Sequence, residues 1–304
     1  MKEIREVWGS NVDSELQFFD QCLERFNFLS FDTEFPGFLQ NTPRDAPESL
    51  RYSDLKFNVD LMKLIQLGIT LSDGKGNICC TWEFNFSDFD LERDLHSEGS
   101  IDLLKNCGIN FEKIRKYGVS SEVFVPKFLH ILSRHRNIKW VTFHGLYDLA
   151  YVLKLLMNKP MPRSLFEFLE VASMVFGCVF DIKFMAKHCN GLLGGEIGLN
   201  KVAKILGVER KGAAHNAGSD SFLIATIFAK VNMMPGFQER DFSGCLYGIS
   251  SRIGRLMEMV LPCYSQLMVV APARPPQAVI FCPRLVICPL PVICPATVTI
   301  LYNV

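Results

Sequence analysis

Between Phe28 and Phe35 an apolar, β-prone run carries two carboxylates, Asp32 and Glu34, two positions apart. Alternation along a strand sends both to one face, about 6.6 Å apart. A strand this apolar belongs inside a sheet, where two like charges repel each other and lose hydration unless a cation neutralises them. A hard divalent ion such as Mg²⁺ or Mn²⁺ suits an all-oxygen donor pair. An edge strand with both acids in water is the competing reading.

The first 260 or so residues alternate β-rich runs with helical patterns, as a layered α/β domain requires. Strands are expected at 28–34, 64–72, 78–86, 140–144 and 179–182. The first three are expected to be joined only by loops in an antiparallel meander. Helices are expected at 13–26, with Asn11 or Asp13 as cap, and at 125–133, 146–157, 201–206 and 217–231. The proline- and charge-rich stretch 40–53 reads as a loop.

At 304 residues and 49% hydrophobic content the chain holds enough for one sizeable core. The expected division is a catalytic domain over 1–262 and a low-complexity tail over 263–304. In that tail Cys-Pro repeats at 282, 288 and 294, and Arg274 and Arg284 are the only charges. Its last twenty residues are uncharged, but Pro289, Pro291 and Pro295 oppose a membrane helix, so a disordered extension is expected. The chain has 32 basic and 32 acidic residues, which excludes a broad basic surface binding nucleic acid by counterion release alone. Eleven cysteines without paired spacing before Cys282 are expected to be reduced thiols. Met1 to Trp8 lacks the apolar stretch of a secretory signal, so a location inside the cell, in cytoplasm and nucleus, is expected without stable membrane association.

Two further segments carry candidate chemistry. The apolar run from Trp140 ends at His144-Gly145, and a helix opens with Asp148 in its first turn. A helix-dipole partner is the plain explanation for that acid, yet sites in α/β sheets form where strands give way to helices. In Ala214-His215-Asn216-Ala217-Gly218-Ser219-Asp220, His215 precedes a helix and Asp220 lies in its first turn. An imidazole, which titrates near neutral pH, suits proton abstraction from water; a solvated loop histidine beside a capping residue is the alternative. Together the segments supply Asp, Glu, Asp and Asp with a neighbouring His. Four carboxylates suffice for two metals that activate a water and stabilise the leaving oxygen in a phosphoryl displacement. No Gly-x-Ser-x-Gly elbow or phosphate loop competes.

With these acids in place the chain resembles the Caf/Pop deadenylases, RNase-H-like exonucleases of the DEDD superfamily, histidine subtype. The likeness runs through Ile4-Arg5-Glu6-Val7-Trp8, residues 58–68 (Asn-Val-Asp-Leu-Met-Lys-Leu-Ile-Gln-Leu-Gly), Thr81-Trp82-Glu83-Phe84-Asn85-Phe86 and Ser100-Ile101-Asp102-Leu103-Leu104. It continues through Gly108-Ile109 and Asp181-Ile182-Lys183 to Gly244-Cys245-Leu246-Tyr247-Gly248. It implies an α/β fold with an RNase-H-like mixed sheet and an antiparallel N-terminal meander flanked by helices. It further implies that Asp32, Glu34, Asp148 and Asp220 hold two divalent ions, Mg²⁺ or Mn²⁺, with His215 as general base. Asp181 belongs in the family to a structural strand. The implied activity is 3′→5′ removal of adenylates from messenger poly(A) RNA, releasing 5′-AMP. The implied partners are a Not-type scaffold and a second deadenylase subunit of the Ccr-Not complex. Asn216 stands where glutamine is usual, Leu146 follows His144-Gly145 where a small-residue turn is common, and Glu196-Ile197-Gly198 reads as a short insertion. A catalytically silent bridging subunit and a DNA-directed exonuclease of the same superfamily are the alternatives.

Overall fold

The computed structural model describes residues 4–254, so the expectations for the tail lie outside the described residues. In chain order the elements are β1 (Ile4–Val7), α1 (Val12–Leu23), β2 (Phe28–Glu34), α2 (Glu48–Leu61), β3 (Gln66–Ser72) and β4 (Ile78–Asn85). Then come α3 (Glu98–Asn106), α4 (Phe111–Tyr117), α5 (Ser121–Arg134), β5 (Lys139–Thr142), α6 (Leu146–Met157), α7 (Leu165–Phe176) and β6 (Cys178–Asp181). The described residues finish with α8 (Ile182–Ala186), a 3₁₀ turn at Leu193–Gly195, α9 (Leu199–Ile205), α10 (Ala217–Asn232) and α11 (Glu239–Phe242).

The strands form one sheet in the order β1-β4-β3-β2-β5-β6. The β2-β3-β4 core is antiparallel, as the meander predicts, while β1, β5 and β6 join in parallel. The meander is not joined by loops alone, however, because α2 lies between β2 and β3. The charge-rich stretch conceals that helix: its buried stripe mixes Tyr52, Leu55 and Val59 with Asp54 and Asn58, so the apolar periodicity is diluted. Asn58 is fully buried and holds the preceding loop, accepting from the amides of Leu39 and Gln40.

β1 was not expected; it is four residues long with charges at Arg5 and Glu6, too short for alternation to register. Helices α3, α4, α7, α8 and α11 were also missed. β5 stops two residues before His144, because His144 turns into the left-handed region (φ 59°) and its amide leaves the ladder to donate to Asp181. β6 ends at Asp181, whose side chain caps α8.

The two faces of the sheet differ. Leu29, Phe31, Leu67, Ile69, Leu71, Trp82 and Phe84 join α1, α5, α6 and α7 in the largest apolar core. The other face carries Ser30, Asp32 and Glu34 on β2, Gln66, Gly68 and Thr70 on β3, and Thr81, Glu83 and Asn85 on β4, with α10 lying across it. Thr70 ties that face to α10 through a hydroxyl contact with Ser221 at 3.0 Å.

Candidate active site

The C-terminal ends of the parallel strands β2, β5 and β6 lie at one edge of the sheet, and there the candidate residues meet. Asp32 is half-buried, and Glu34, Asp148 and Asp220 retain only 8%, 8% and 6% of their surface. One oxygen from each of Asp32, Glu34 and Asp220 lies within 4.8 Å of the other two. Asp148, from the first turn of α6, flanks them: its Oδ1 accepts from the backbone amide of Thr33 at 3.0 Å and from the Thr33 hydroxyl, the residue between the paired acids.

Asp220 reaches the sheet because α10 begins directly on β3. Asn216 caps the helix by accepting from Ser219 N at 3.1 Å. Beneath it, Gln66 Oε1 accepts from Ala217 N at 3.5 Å and Glu83 Oε2 from Gly218 N at 3.3 Å. The free amides of a helix N-terminus, and its dipole, favour such acceptors. His215 sits in the loop before α10 with φ 56°, and its backbone amide donates to Asp220 Oδ2 at 2.9 Å. Its imidazole is exposed.

The electrostatics are those of crowded acids. Burial, then the charges of Asp148, Asp220 and Glu34, holds the Asp32 carboxyl well above the usual range. Glu34 is raised likewise by burial and then by Asp220 and Asp148. Burial pushes Asp148 up to about 7 despite its bonds from Thr33. Arg210 opposes this repulsion, pairing with Asp220 Oδ1 at 2.5 Å and lowering both Asp32 and Glu34. One guanidinium against four acids leaves the cluster anionic. An all-carboxylate donor set with excess negative charge fits hard divalent cations, whose binding offsets the desolvation of the acids.

All four predicted acids therefore share one site, while His215 contributes its backbone to Asp220 and leaves its ring in solvent. Asp181 is fully buried and accepts from the amides of His144, Lys183 and Tyr247, a structural role as expected. Sequence reasoning overlooked Glu83, Gln66, Thr33 and Arg210. For Glu83 a signal existed: Thr81, Glu83 and Asn85 are polar at every second position of an otherwise apolar strand, which marks a polar face. Nothing in the local sequence singles out Arg210.

A model of the CAF1 family ribonuclease matches residues 7–121 and 119–228. The Arabidopsis thaliana protein probable CCR4-associated factor 1 homolog 7 is 41% identical over 269 residues, 84% of this chain and 96% of that protein. The S. pombe Pop2p structure in its Mg²⁺- and Mn²⁺-bound form is 34% identical, with a TM-score of 0.74 over 81% of this chain and 99% of that one. CAF1 from the yeast complex with the NOT1 MIF4G domain gives 27% identity and a TM-score of 0.68, over 81% of this chain and 96% of that one.

Proposed function

The chain belongs to the CAF1 ribonuclease family, and from that premise we propose that it is a metal-dependent 3′→5′ exoribonuclease that shortens poly(A) tails and releases 5′-AMP. The observation that carries this reading is the meeting of Asp32, Glu34, Asp148 and Asp220, from three distant segments, at one edge of the sheet, where burial and mutual repulsion hold the carboxyls of Asp32, Glu34 and Asp148 above the usual range. Divalent cations relieve the repulsion in such a cluster, and the S. pombe relative is one that binds Mg²⁺ and Mn²⁺.

In this reading the four acids hold two divalent ions, which supply activation of the attacking water and neutralisation of the leaving oxygen. Thr33 fixes Asp148 through two hydrogen bonds. The N-terminus of α10 and the His215 amide fix Asp220. The exposed His215 imidazole takes the proton from the water at a ring nitrogen, and its open position suits a group that must exchange that proton with solvent. The Not-type scaffold seen with the yeast relative, and a second deadenylase beside it, are the assembly in which this activity is proposed to work.

A 5′-labelled RNA ending in an adenylate tract, incubated with the full chain and Mg²⁺ or Mn²⁺, is expected to shorten stepwise from its 3′ end. Chelator or Asp32→Ala stops the reaction, and RNAs ending in C or U tracts shorten more slowly. An intact A-tailed RNA under these conditions rejects the enzyme in favour of a silent bridging subunit. Equal degradation of a matched DNA strand rejects the RNA assignment.

A further inference from the structure

At the same edge of the sheet as the carboxylates lies a second, oppositely charged group of side chains. Asp181 holds it in place: its carboxylate accepts from His144 N at 2.7 Å, Lys183 N at 2.9 Å and Tyr247 N at 2.9 Å, joining the ends of β5 and β6 to the segment after α11. The His144 ring meets the Tyr247 ring edge-on at 4.9 Å, and His144 lies four residues before Asp148. The phenol ring is flanked by two ammonium groups, Lys183 Nζ at 4.5 Å and Lys187 Nζ at 4.4 Å from its centroid. Its hydroxyl donates to Glu196 Oε1 at 2.6 Å. Arg44 bears on both Glu196 and Tyr247, and Arg51 on Tyr247.

Three cations, Lys183, Lys187 and Arg44, therefore bear on one exposed carboxylate, in a chain whose basic and acidic residues otherwise balance. An exposed pair of this kind adds little to stability, because water screens it and the side chains lose freedom. What the arrangement does provide is an anion site already filled by an anion. A phosphodiester carries the same single negative charge as Glu196 and offers oxygens to the same hydroxyl and ammonium donors.

Resting on the reading of this chain as an exoribonuclease, we propose that Tyr247, Lys183, Lys187 and Arg44 form a phosphate station for the single-stranded RNA that trails 5′ of the carboxylate site. We further propose that Glu196 occupies that station in the free enzyme and is displaced by the backbone. The substrate must leave the site across some part of its rim, and this rim shares the sheet edge with Asp148 and carries the matching charge. Glu196 lies in the short segment that reads from sequence as an insertion, so the occupant is carried on a loop rather than on the sheet. The loop also carries a run of positive-φ residues just before Glu196, at Gly191, Leu193, Gly194 and Gly195.

The test is equilibrium binding of a labelled oligoadenylate of about twenty nucleotides to the full chain in chelator, where hydrolysis is blocked, followed by anisotropy over a range of KCl. Each phosphate contact contributes about 0.7 to the slope of log affinity against log salt for single strands. Lys183→Ala with Lys187→Ala is expected to reduce the slope by about 1.4, and Tyr247→Phe to weaken binding without changing the slope. Glu196→Gln is expected to tighten binding several-fold. Lys127→Ala, on the distant α1–α5 surface where it pairs with Asp13, serves as the control and leaves the slope as it was. A double lysine variant with the wild-type slope, a Glu196→Gln variant that binds no tighter, or wild type that does not bind at all overturns the proposal. Wild type run in parallel with Mg²⁺ separates the two readings. If it binds the RNA but leaves it intact, the exoribonuclease reading falls on its own; if it shortens the RNA with a slope indifferent to the lysines, only the phosphate station falls.

Discussion

Gly68 stands directly opposite Asp32 in the β2–β3 ladder, and a side chain at that glycine would place its Cβ 1.8 Å from the carbonyl oxygen of Ala217. The absence of a side chain on β3 is thus what lets α10 descend onto the sheet and bring Asp220 to Asp32. Gly68→Ala must push the start of α10 outward, since the contact is with backbone and has no rotamer to yield. Overpacking of this kind costs about 1–3 kcal/mol, and a shift near 1 Å at a reacting site lowers rate on the order of a hundredfold. The expected variant is folded, with a lower melting temperature and kcat reduced on the order of a hundredfold. A variant with wild-type kcat would mean that the helix start does not position Asp220.

Removing one acid relieves the crowding that the metals otherwise relieve. Asp32→Asn keeps the shape but deletes a charge that burial and three neighbouring carboxylates oppose. In chelator the variant is expected to melt higher than wild type, a trade of stability against function. In Mg²⁺ the order reverses, because wild type gains linkage stabilisation from bound ions and the variant gains little. Activity falls on the order of a thousandfold or more, as loss of several kcal/mol at a metal site implies. Thermal melts of both proteins with and without Mg²⁺ decide the matter, and identical metal-induced shifts would remove Asp32 from the ligand set.

How much of this was legible in the sequence follows from which interactions are local. Asp32 and Glu34 declare themselves because alternation is a property of the strand alone, and β2 has the expected bounds of Phe28–Glu34. Asp148 and Asp220 were placed correctly in first helical turns because strand-to-helix transitions leave local marks. The supporting residues were not legible in this way. Gln66, Glu83 and Arg210 act on backbone or carboxylates distant in the chain, and α2 was hidden because its buried face includes Asp54 and Asn58, whose partners lie on the preceding loop. Pairings set by tertiary packing leave no periodicity to read.

Thr33 offers a narrower test of positioning. Its hydroxyl and its amide both donate to Asp148 Oδ1, and Thr33→Val preserves shape and strand preference while deleting only the hydroxyl. Groups that orient a metal ligand in this way typically contribute about 10–100-fold to metal affinity or activity. The expected variant keeps the wild-type unfolding stability in chelator to within about 1 kcal/mol. It requires on the order of tenfold more Mg²⁺ for half-maximal activity. Unchanged metal dependence would show that the amide alone suffices to hold Asp148.

Glu83 yields a prediction in pH. It is buried beneath the start of α10, and desolvation raises its carboxyl from 4.5 to about 7, against the opposing hydrogen bonds from Gly218, Asn216 and Gln66. The folded protein therefore binds this proton more tightly than the unfolded chain. The associated stability is fully present below about pH 4.5 and is lost as pH rises through about 7. At about 1.4 kcal/mol per unit the shift is worth on the order of 3 kcal/mol. Glu83→Gln carries no proton to lose and keeps an acceptor oxygen for the Gly218 amide. Measured by urea unfolding with saturating Mg²⁺, so that the four site acids are compensated, wild type is expected to lose stability between about pH 5 and pH 7 with a slope near 1.4 kcal/mol per unit. The Gln variant is expected to show that much less slope. Parallel profiles for the two proteins would mean that Glu83 stays ionised throughout, stabilised by the helix N-terminus above it more than its burial destabilises it.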